Sequence, residues 1–180
     1  MDHRMTSVSG KMAPPPPVRK ESTILAFRRF AWIHSWAVYR AALLDPDGYD
    51  RIHPADLDDA ALGAASREAL LASRYIAPDH PDWDRVDAYW NLENGDKLRE
   101  RLRAAAGVKT NSALYKGAGN VSLGLRDGII AVEPLKYAGR GGFEEIRDLE
   151  PTKLPETISD EALGAAIRAA IEISRAPWKR

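Results

Sequence analysis

One stretch of this chain occurs twice. Residues 58–74 read DDAALGAASREALLASR and residues 159–175 read SDEALGAAIRAAIEISR. At a constant offset of 101, ten of the seventeen positions are identical, among them Leu62/Leu163, Gly63/Gly164, Arg67/Arg168, Ser73/Ser174 and Arg74/Arg175. Alanine-rich helices match one another by composition, but the Leu-Gly-Ala-Ala core and the Ser-Arg ending go beyond it. A two-copy repeat predicts two structural half-units rather than a solenoid, which needs three or more copies. Both copies read as helices. Asp58 and Ser159 suit the N-cap, where a side-chain oxygen accepts from unpaired backbone N–H groups, and the acidic residues that follow favour the positive end of the helix dipole. In the second copy Ile158, Leu163, Ile167, Ala170, Ile171 and Ser174 recur at three- and four-residue steps and form an inward stripe. Gly63 and Gly164 sit inside the first turns, where glycine costs ~1 kcal/mol against alanine. A glycine kept in both copies predicts close packing against a neighbouring backbone.

Upstream of each helix the pattern looks β-like. Phe30, Trp32, His34, Trp36 and Val38 alternate with Ala31, Ile33, Ser35, Ala37 and Tyr39, which suits an aromatic-rich strand. The same stretch also fits a helix with Leu25, Trp32, Trp36, Tyr39 and Leu43 on one face. In the second half Val121, Leu123 and Leu125 alternate, Asp127-Gly128 offers a tight hairpin turn, and Ile129 to Val132 return. Residues 82–106 read as helix, broken or bent near Asn94-Gly95. The expected fold is α+β, an antiparallel-rich sheet with packed helices in two pseudo-repeated strand-then-helix halves, about 21–106 and 107–180, forming a single domain over 21–180. Residues 1–20 carry the run Pro14 to Pro17 and are expected to be an extended, disordered extension, because polyproline cannot donate the hydrogen bonds of a helix or sheet.

Charge and composition narrow the function. The chain of 180 residues has no cysteine, which rules out disulfides and thiolate metal sites. Residues 1–20 lack the apolar run of a signal peptide, and the apolar region 24–44 is interrupted by Arg28, Arg29, His34 and Arg40, so neither export nor a membrane span is expected; the reading is a cytoplasmic protein. Net charge is zero, yet residues 45–100 hold fourteen acidic against six basic side chains and residues 101–140 hold seven basic against two acidic. An acidic stretch attracts basic partners and repels nucleic acid; the plainer reading is the solvated faces of surface helices.

Catalytic signatures are missing. His3, His34, His53 and His80 form no zinc-protease spacing, and there is no Gly-x-Ser-x-Gly. Asp79, His80, Asp82 and Asp84 cluster closely enough to suggest a divalent metal and hence a metal-dependent hydrolase, against the plainer reading of a capped helix start beside Pro81. Gly117-Ala118-Gly119 precedes a strand rather than a helix, so phosphate-cradling amides are absent there. Gly139 to Gly142, with Arg140 inside, reads as a flexible loop. Lys109, Lys116, Arg126, Lys136 and Arg140, interleaved with Tyr115 and Tyr137, offer a nucleic-acid platform as the main alternative function; the neutral pI and the acidic 45–100 block oppose it. No catalytic residue, metal or cofactor is assigned.

The stretch GVKTNSALYKGAGNVSLGLRDGIIAVEPLK, residues 107–136, followed by ISDEALGAAIRAAIEISR, residues 158–175, resembles the immunity proteins of contact-dependent growth inhibition systems. HSWAVYR before LDPD, and the DLDDAALG…ASR helix, within residues 34–74, extend the likeness to the N-terminal half. The resemblance implies a non-enzymatic inhibitor whose partner is the cognate C-terminal toxin domain of a large surface effector, often a nuclease, blocked by occlusion of its active site. This sequence departs from the family pattern in its Pro-rich extension and its IEISRAPWKR ending. On the charge distribution, the expected contact face is the acidic block Asp45, Asp47, Asp50, Asp56, Asp58, Asp59, Asp79, Asp82, Asp84 and Asp87. Trp83 and Trp90 are its expected anchors, since tryptophan is enriched at interface hot spots.

Overall fold

The protein is described by a computed structural model covering residues 14–139 and 142–178. Residues 1–13 of the Pro-rich extension, and Arg140 of the glycine loop, lie outside the described residues. Pro14 to Arg19 run without regular secondary structure, with the Pro16 carbonyl accepting from the Tyr75 hydroxyl at 2.9 Å.

The fold is α+β. In the first half, β1 (Lys20–Ala26), β2 (Phe30–Val38), β3 (Ala42–Leu44) and β4 (Asp50–Pro54) lead into helix α1 (Asp59–Ala72) and the short β5 (Arg74–Tyr75). Three helices follow: α2 (Trp83–Tyr89), α3 (Leu92–Ala106) and α4 (Asn111–Tyr115). The second half contributes β6 (Gly119–Arg126), β7 (Ile129–Gly139), β8 (Gly142–Glu145), β9 (Thr152–Pro155) and α5 (Asp160–Arg175). Strand order is β3-β2-β1-β6-β7-β8, with β4 also on β2 and β9 also on β7. Every pairing is antiparallel except that of β5 with β2.

That order reads the same from both ends. β1 meets β6 with Thr23 opposite Ser122, and the hairpin partner, the short outer strand and the return strand follow outward in the same sequence on either side. The helix layer repeats the arrangement. α1 and α5 cross where their glycines face each other: a Cβ on Gly63 would stand 2.6 Å from the Asp160 carbonyl carbon, and one on Gly164 would stand 2.6 Å from that of Asp59. Arg67 Nε donates to Asp160 at 2.6 Å while Arg168 Nε donates to Asp59 at 2.6 Å, so each helix grips the first turn of the other. Ser73 Oγ accepts from Glu21 N–H and donates to Trp36 C=O; Ser174 Oγ accepts from Asn120 N–H and donates to Leu135 C=O. These contacts are related by an approximate two-fold axis running through Thr23/Ser122 and Gly63/Gly164.

The sequence explains the layers. Ile24, Ile33, Val121, Leu123, Ile130 and Val132 point to the helix side, where Leu62, Leu70, Leu163 and Ile167 close over them. At ~25 cal/mol per Å² of apolar area, burying such side chains stabilises by roughly 1.5–3 kcal/mol each. Asp58 and Ser159 cap α1 and α5 as expected, accepting from Ala61 and Ala162 N–H. Asp127 and Gly128 both have positive φ, the geometry of a two-residue hairpin turn. The ambiguous aromatic stretch is strand over Phe30–Val38, because residues of both parities find cover: one face meets α1 and α5, and Phe30 and Trp32, with Leu25 of β1, meet Leu102, Leu114 and Tyr115.

Two expectations need correction. The helix over 82–106 breaks at Trp90-Asn91, not at Asn94-Gly95, because the Asn91 side chain caps α3 by accepting from Asn94 N–H at 2.9 Å and leaves Gly95 inside the helix. Gly139 and Gly142 are paired ends of the β7–β8 hairpin rather than a free loop.

Candidate functional site

Helices α2 to α4 come between the two halves in sequence and break their equivalence. They cover the outer face of the sheet beside β1 and β2; beside β6 to β8 that face is partly open, with Tyr115 of α4 reaching Tyr137 and Phe143. The boundary is an open cavity of about 430 Å3, floored by strand residues and walled by Trp36, Trp90, Tyr115 and Phe143.

Across the floor, cross-strand pairing sets His34 beside Thr23, Thr23 beside Ser122 and Ser122 beside Glu133. At ~4.8 Å between strands this row is about 14 Å long. His34 is 1% exposed, its ring is stacked on Trp32 with centroids 3.8 Å apart, and neither ring nitrogen has a protein partner. Burial is the main cause that lowers its pKa to about 3, with Asp50 opposing and Arg101 adding to the shift, so the imidazole is neutral at pH 7. In the next row Asn120, also buried, has its Oδ1 unpartnered. Glu133 occupies the place in the second half that His34 occupies in the first. Burial, then the nearby Glu145 and Glu21 carboxylates, raise its pKa above the ordinary glutamate value. Among the described residues neither Glu133 nor Glu145 has an ion-pair partner, whereas Glu144 pairs with Lys136 at 3.2 Å.

The acidic block predicted from sequence divides into two sets. Asp45 is buried and accepts two hydrogen bonds from Arg74, which also holds Asp47 and Asp82, while Arg85 reaches Asp47 and Asp82 from the far side. The hydrogen bond to Asp45 is the chief cause that raises the Arg74 pKa. Asp45 therefore braces the β3–β4 loop to α2, and its side chain offers no surface. Asp50 accepts from Trp32 Nε1 at 2.6 Å and from Arg101 at 2.5 Å; burial raises its pKa, but those bonds and the charges of Arg101 and His34 outweigh it and hold it low. Asp58 caps α1 and Asp59 pairs with Arg168. Asp56, Asp79, Asp84 and Asp87 are exposed. Trp83 lies half-buried against an apolar cavity of about 370 Å3 with Tyr39, Leu43, Ile76 and Val86. Trp90 is 48% exposed at the lip of the larger cavity. The structure thus brings Trp90 to that cavity, ties Asp50 to Trp32 and Arg101, gathers Asp45, Asp47 and Asp82 around Arg74, and leaves the others apart. Sequence reasoning missed His34, Asn120, Glu133 and Glu145 as a group, because their meeting depends on sheet register.

The other candidates are placed as follows. Asp82 N–H donates to His80 Nδ1 at 3.0 Å, and among the described residues no group of three or more His, Asp or Glu side chains converges as a metal site. The tyrosine platform is corrected: Tyr115 is 8% exposed, in ring contact with Phe27, Tyr137 and Phe143, and lines the cavity with Glu21 and Arg99 rather than with Lys109, Lys116 or Lys136. Among the described residues no helix is long and apolar enough to cross a membrane.

The sequence matches the family described as CDI immunity protein, CdiI, over residues 20–174. The chain belongs to that family. It is similar to the immunity protein CdiI-YPIII of Yersinia pseudotuberculosis serotype O:3, strain YPIII, with 25% identity over 155 residues, covering 79% of this chain and 88% of the relative. Its fold matches the CdiA-CT/CdiI toxin and immunity complex from Yersinia pseudotuberculosis at a TM-score of 0.78 and 23% identity, covering 89% of this chain and 98% of that one. A Neisseria meningitidis protein of unknown function matches at a TM-score of 0.76 and 23% identity, covering 87% and 95%. Within this CDI immunity protein, the matched span runs from the start of β1 to Ser174 and so includes both half-units and the cavity between α3 and the open face.

Proposed function

We propose that this chain is a stoichiometric inhibitor that binds the toxin domain encoded beside it and blocks it by covering its active site. Membership of the CDI immunity family over residues 20–174 carries this reading, and the fold shared with the immunity partner class of a Yersinia pseudotuberculosis toxin and immunity complex supports it. The inhibitor acts in the cytoplasm, where an incoming toxin would meet its target, and has no catalytic step of its own. A nuclease toxin fits best, since a cleft built for phosphate is basic and an acidic inhibitor complements it.

The contact face centres on the acidic block. Asp56, Asp79, Asp84 and Asp87 present charge directly. Asp47, Asp50, Asp58, Asp59 and Asp82 contribute through the carboxylate surface left outside their internal bonds, Asp45 supports the loop from beneath, and Trp83 and Trp90 anchor. Growth of cells expressing the neighbouring toxin domain, with and without this protein, tests the function; rescue with a one-to-one complex on co-purification is the expected result. A toxic neighbour that is neither bound nor relieved would refute it. Reversing Asp79, Asp84 and Asp87 to lysine tests the face, with an expected loss of affinity of tenfold or more.

A further inference from the structure

The outer sheet face holds an imbalance that the acidic block does not explain. The floor of the 430 Å3 cavity is rich in hydrogen-bond acceptors without partners: the Asn120 Oδ1, one nitrogen of the neutral His34 ring, and, continuing onto the open face, the Glu133 and Glu145 carboxylates. A buried polar group without a partner costs about 1–3 kcal/mol. Two of these groups, His34 and Asn120, are more than nine-tenths buried and line the same cavity. Glu133 and Glu145 face one another from adjacent strands on one side of the sheet, since Glu145 pairs with Leu135, two residues from Glu133. Burial first, and then the like charges of Glu145 and Glu21, oppose ionisation of Glu133 and raise its pKa. The walls supply flat apolar surface, from Trp36, Tyr115 and Phe143. A cation seated beside Leu135 would satisfy Glu133, Glu145 and Asn120, which that residue's strand pairings bring together.

We infer that this groove is the seat of an arginine side chain presented by the toxin, its guanidinium bonded to Glu133 and Glu145 and laid against the aromatic walls, with a remaining donor meeting the Asn120 acceptor. The inference rests on the immunity reading, in that the toxin is taken as the partner. Arginine is preferred to lysine because the acceptors are spread in several directions around flat aromatic faces, which suits a planar fork of five donors and not a compact, strongly hydrated ammonium. Trp90 lines the same cavity and anchors the proposed acidic contact face, so one partner reaches both.

The test uses the full chain and the neighbouring toxin domain. Glu133→Gln with Glu145→Gln removes the charge without changing shape; dissociation of the complex is expected to accelerate ten- to a hundredfold, while Glu161→Gln, a charge removal on the exposed first turn of α5, leaves it unchanged. Phenylglyoxal labelling is expected to spare one toxin arginine in the native complex and to modify it in the Glu133→Gln, Glu145→Gln complex. A complex that forms and dissociates identically with and without the two carboxylates overturns the groove and leaves immunity standing. If the wild-type protein does not bind the toxin, the immunity reading fails, and the capped peptides Gly-Arg-Gly and Gly-Lys-Gly decide the groove alone. A shift of the Asn120 side-chain amide resonances with the arginine peptide, weaker with lysine and lost in the double variant, supports an arginine seat; no shift with either overturns it.

Discussion

Replacing Gly63 by alanine adds one methyl carbon at the crossing of α1 and α5, and the outcome can be worked from the geometry. In an isolated helix the change stabilises by ~1 kcal/mol. Here the new Cβ would lie 2.6 Å from the Asp160 carbonyl carbon and 2.9 Å from Gly164 N, with the carbonyl oxygen closer still. Carbon atoms rest at about 3.5–4.0 Å, so the helices must part by about 1 Å. The obstacle is backbone, which no rotamer change can move aside. Forced overpacking costs about 1–3 kcal/mol, occasionally more, and separation also loosens the Arg67–Asp160 and Arg168–Asp59 pairs that tie the same turns. Setting the propensity gain against the upper part of that range leaves a net loss of about 1–2 kcal/mol. For a chain of this size that corresponds to a fall in Tm of roughly 2–8 °C. Gly164→Ala should match it, because its Cβ meets the Asp59 carbonyl carbon at the same 2.6 Å. The double variant should lose less than the sum, since helices parted by one methyl have room for the second. Urea denaturation and thermal unfolding followed by circular dichroism measure all three. Stabilisation by either single substitution, or single-site losses that differ by several kcal/mol, would refute the close-approach argument and the equivalence of the two halves together.

Two further outcomes concern buried polar groups. His34 has a folded pKa of about 3 against an unfolded value of 6.5, so between those values the unfolded chain takes up a proton that the folded one refuses. Its contribution to stability is therefore whole above pH 6.5 and drains as pH falls; moving from pH 7 to pH 5 should cost about 2 kcal/mol. The stability difference between the native chain and His34→Phe should change by that amount over the interval, and a difference independent of pH would show that the ring is not excluded from water. Ser73→Ala and Ser174→Ala each strand a backbone N–H and a C=O that the hydroxyl now bridges. Losses of about 2–3 kcal/mol are expected at both sites in denaturant titrations; a neutral effect at either would mean that its bridge is not made in solution.

What the sequence disclosed was what local chemistry determines. The caps at Asp58 and Ser159, the stripe from Leu163 to Ser174 and the Asp127-Gly128 turn each depend on neighbours within a few residues, and each took its expected form. The paired glycines announced a close approach, though not that each would be the other's neighbour. The strands of the two halves share almost no residues, since His34 corresponds to Glu133 and Trp36 to Leu135, so only the helices revealed the duplication. The break at Asn91 was misplaced because Asn94-Gly95 is the stronger turn signal by composition, and the capping geometry at Asn91 overrode it. Charge counting found the acidic block but could not show that Arg74 and Arg85 occupy much of it. The open groove was illegible for a different reason: its residues come from positions 34, 120, 133 and 145, and they meet only through strand register.

Joining two equivalent halves in one chain changes what a substitution can do. In a pair of identical subunits every replacement is made twice, so a residue suited to a covered position is imposed on its open counterpart as well. Here each copy can be edited alone. A neutral histidine can sit beneath the helices while a glutamate takes the matching place in the open, and the reciprocal Gly63–Gly164 and arginine–aspartate contacts that hold the halves together are left untouched. A symmetric assembly would offer two such grooves or none. This chain offers one, and one molecule can therefore answer one adversary.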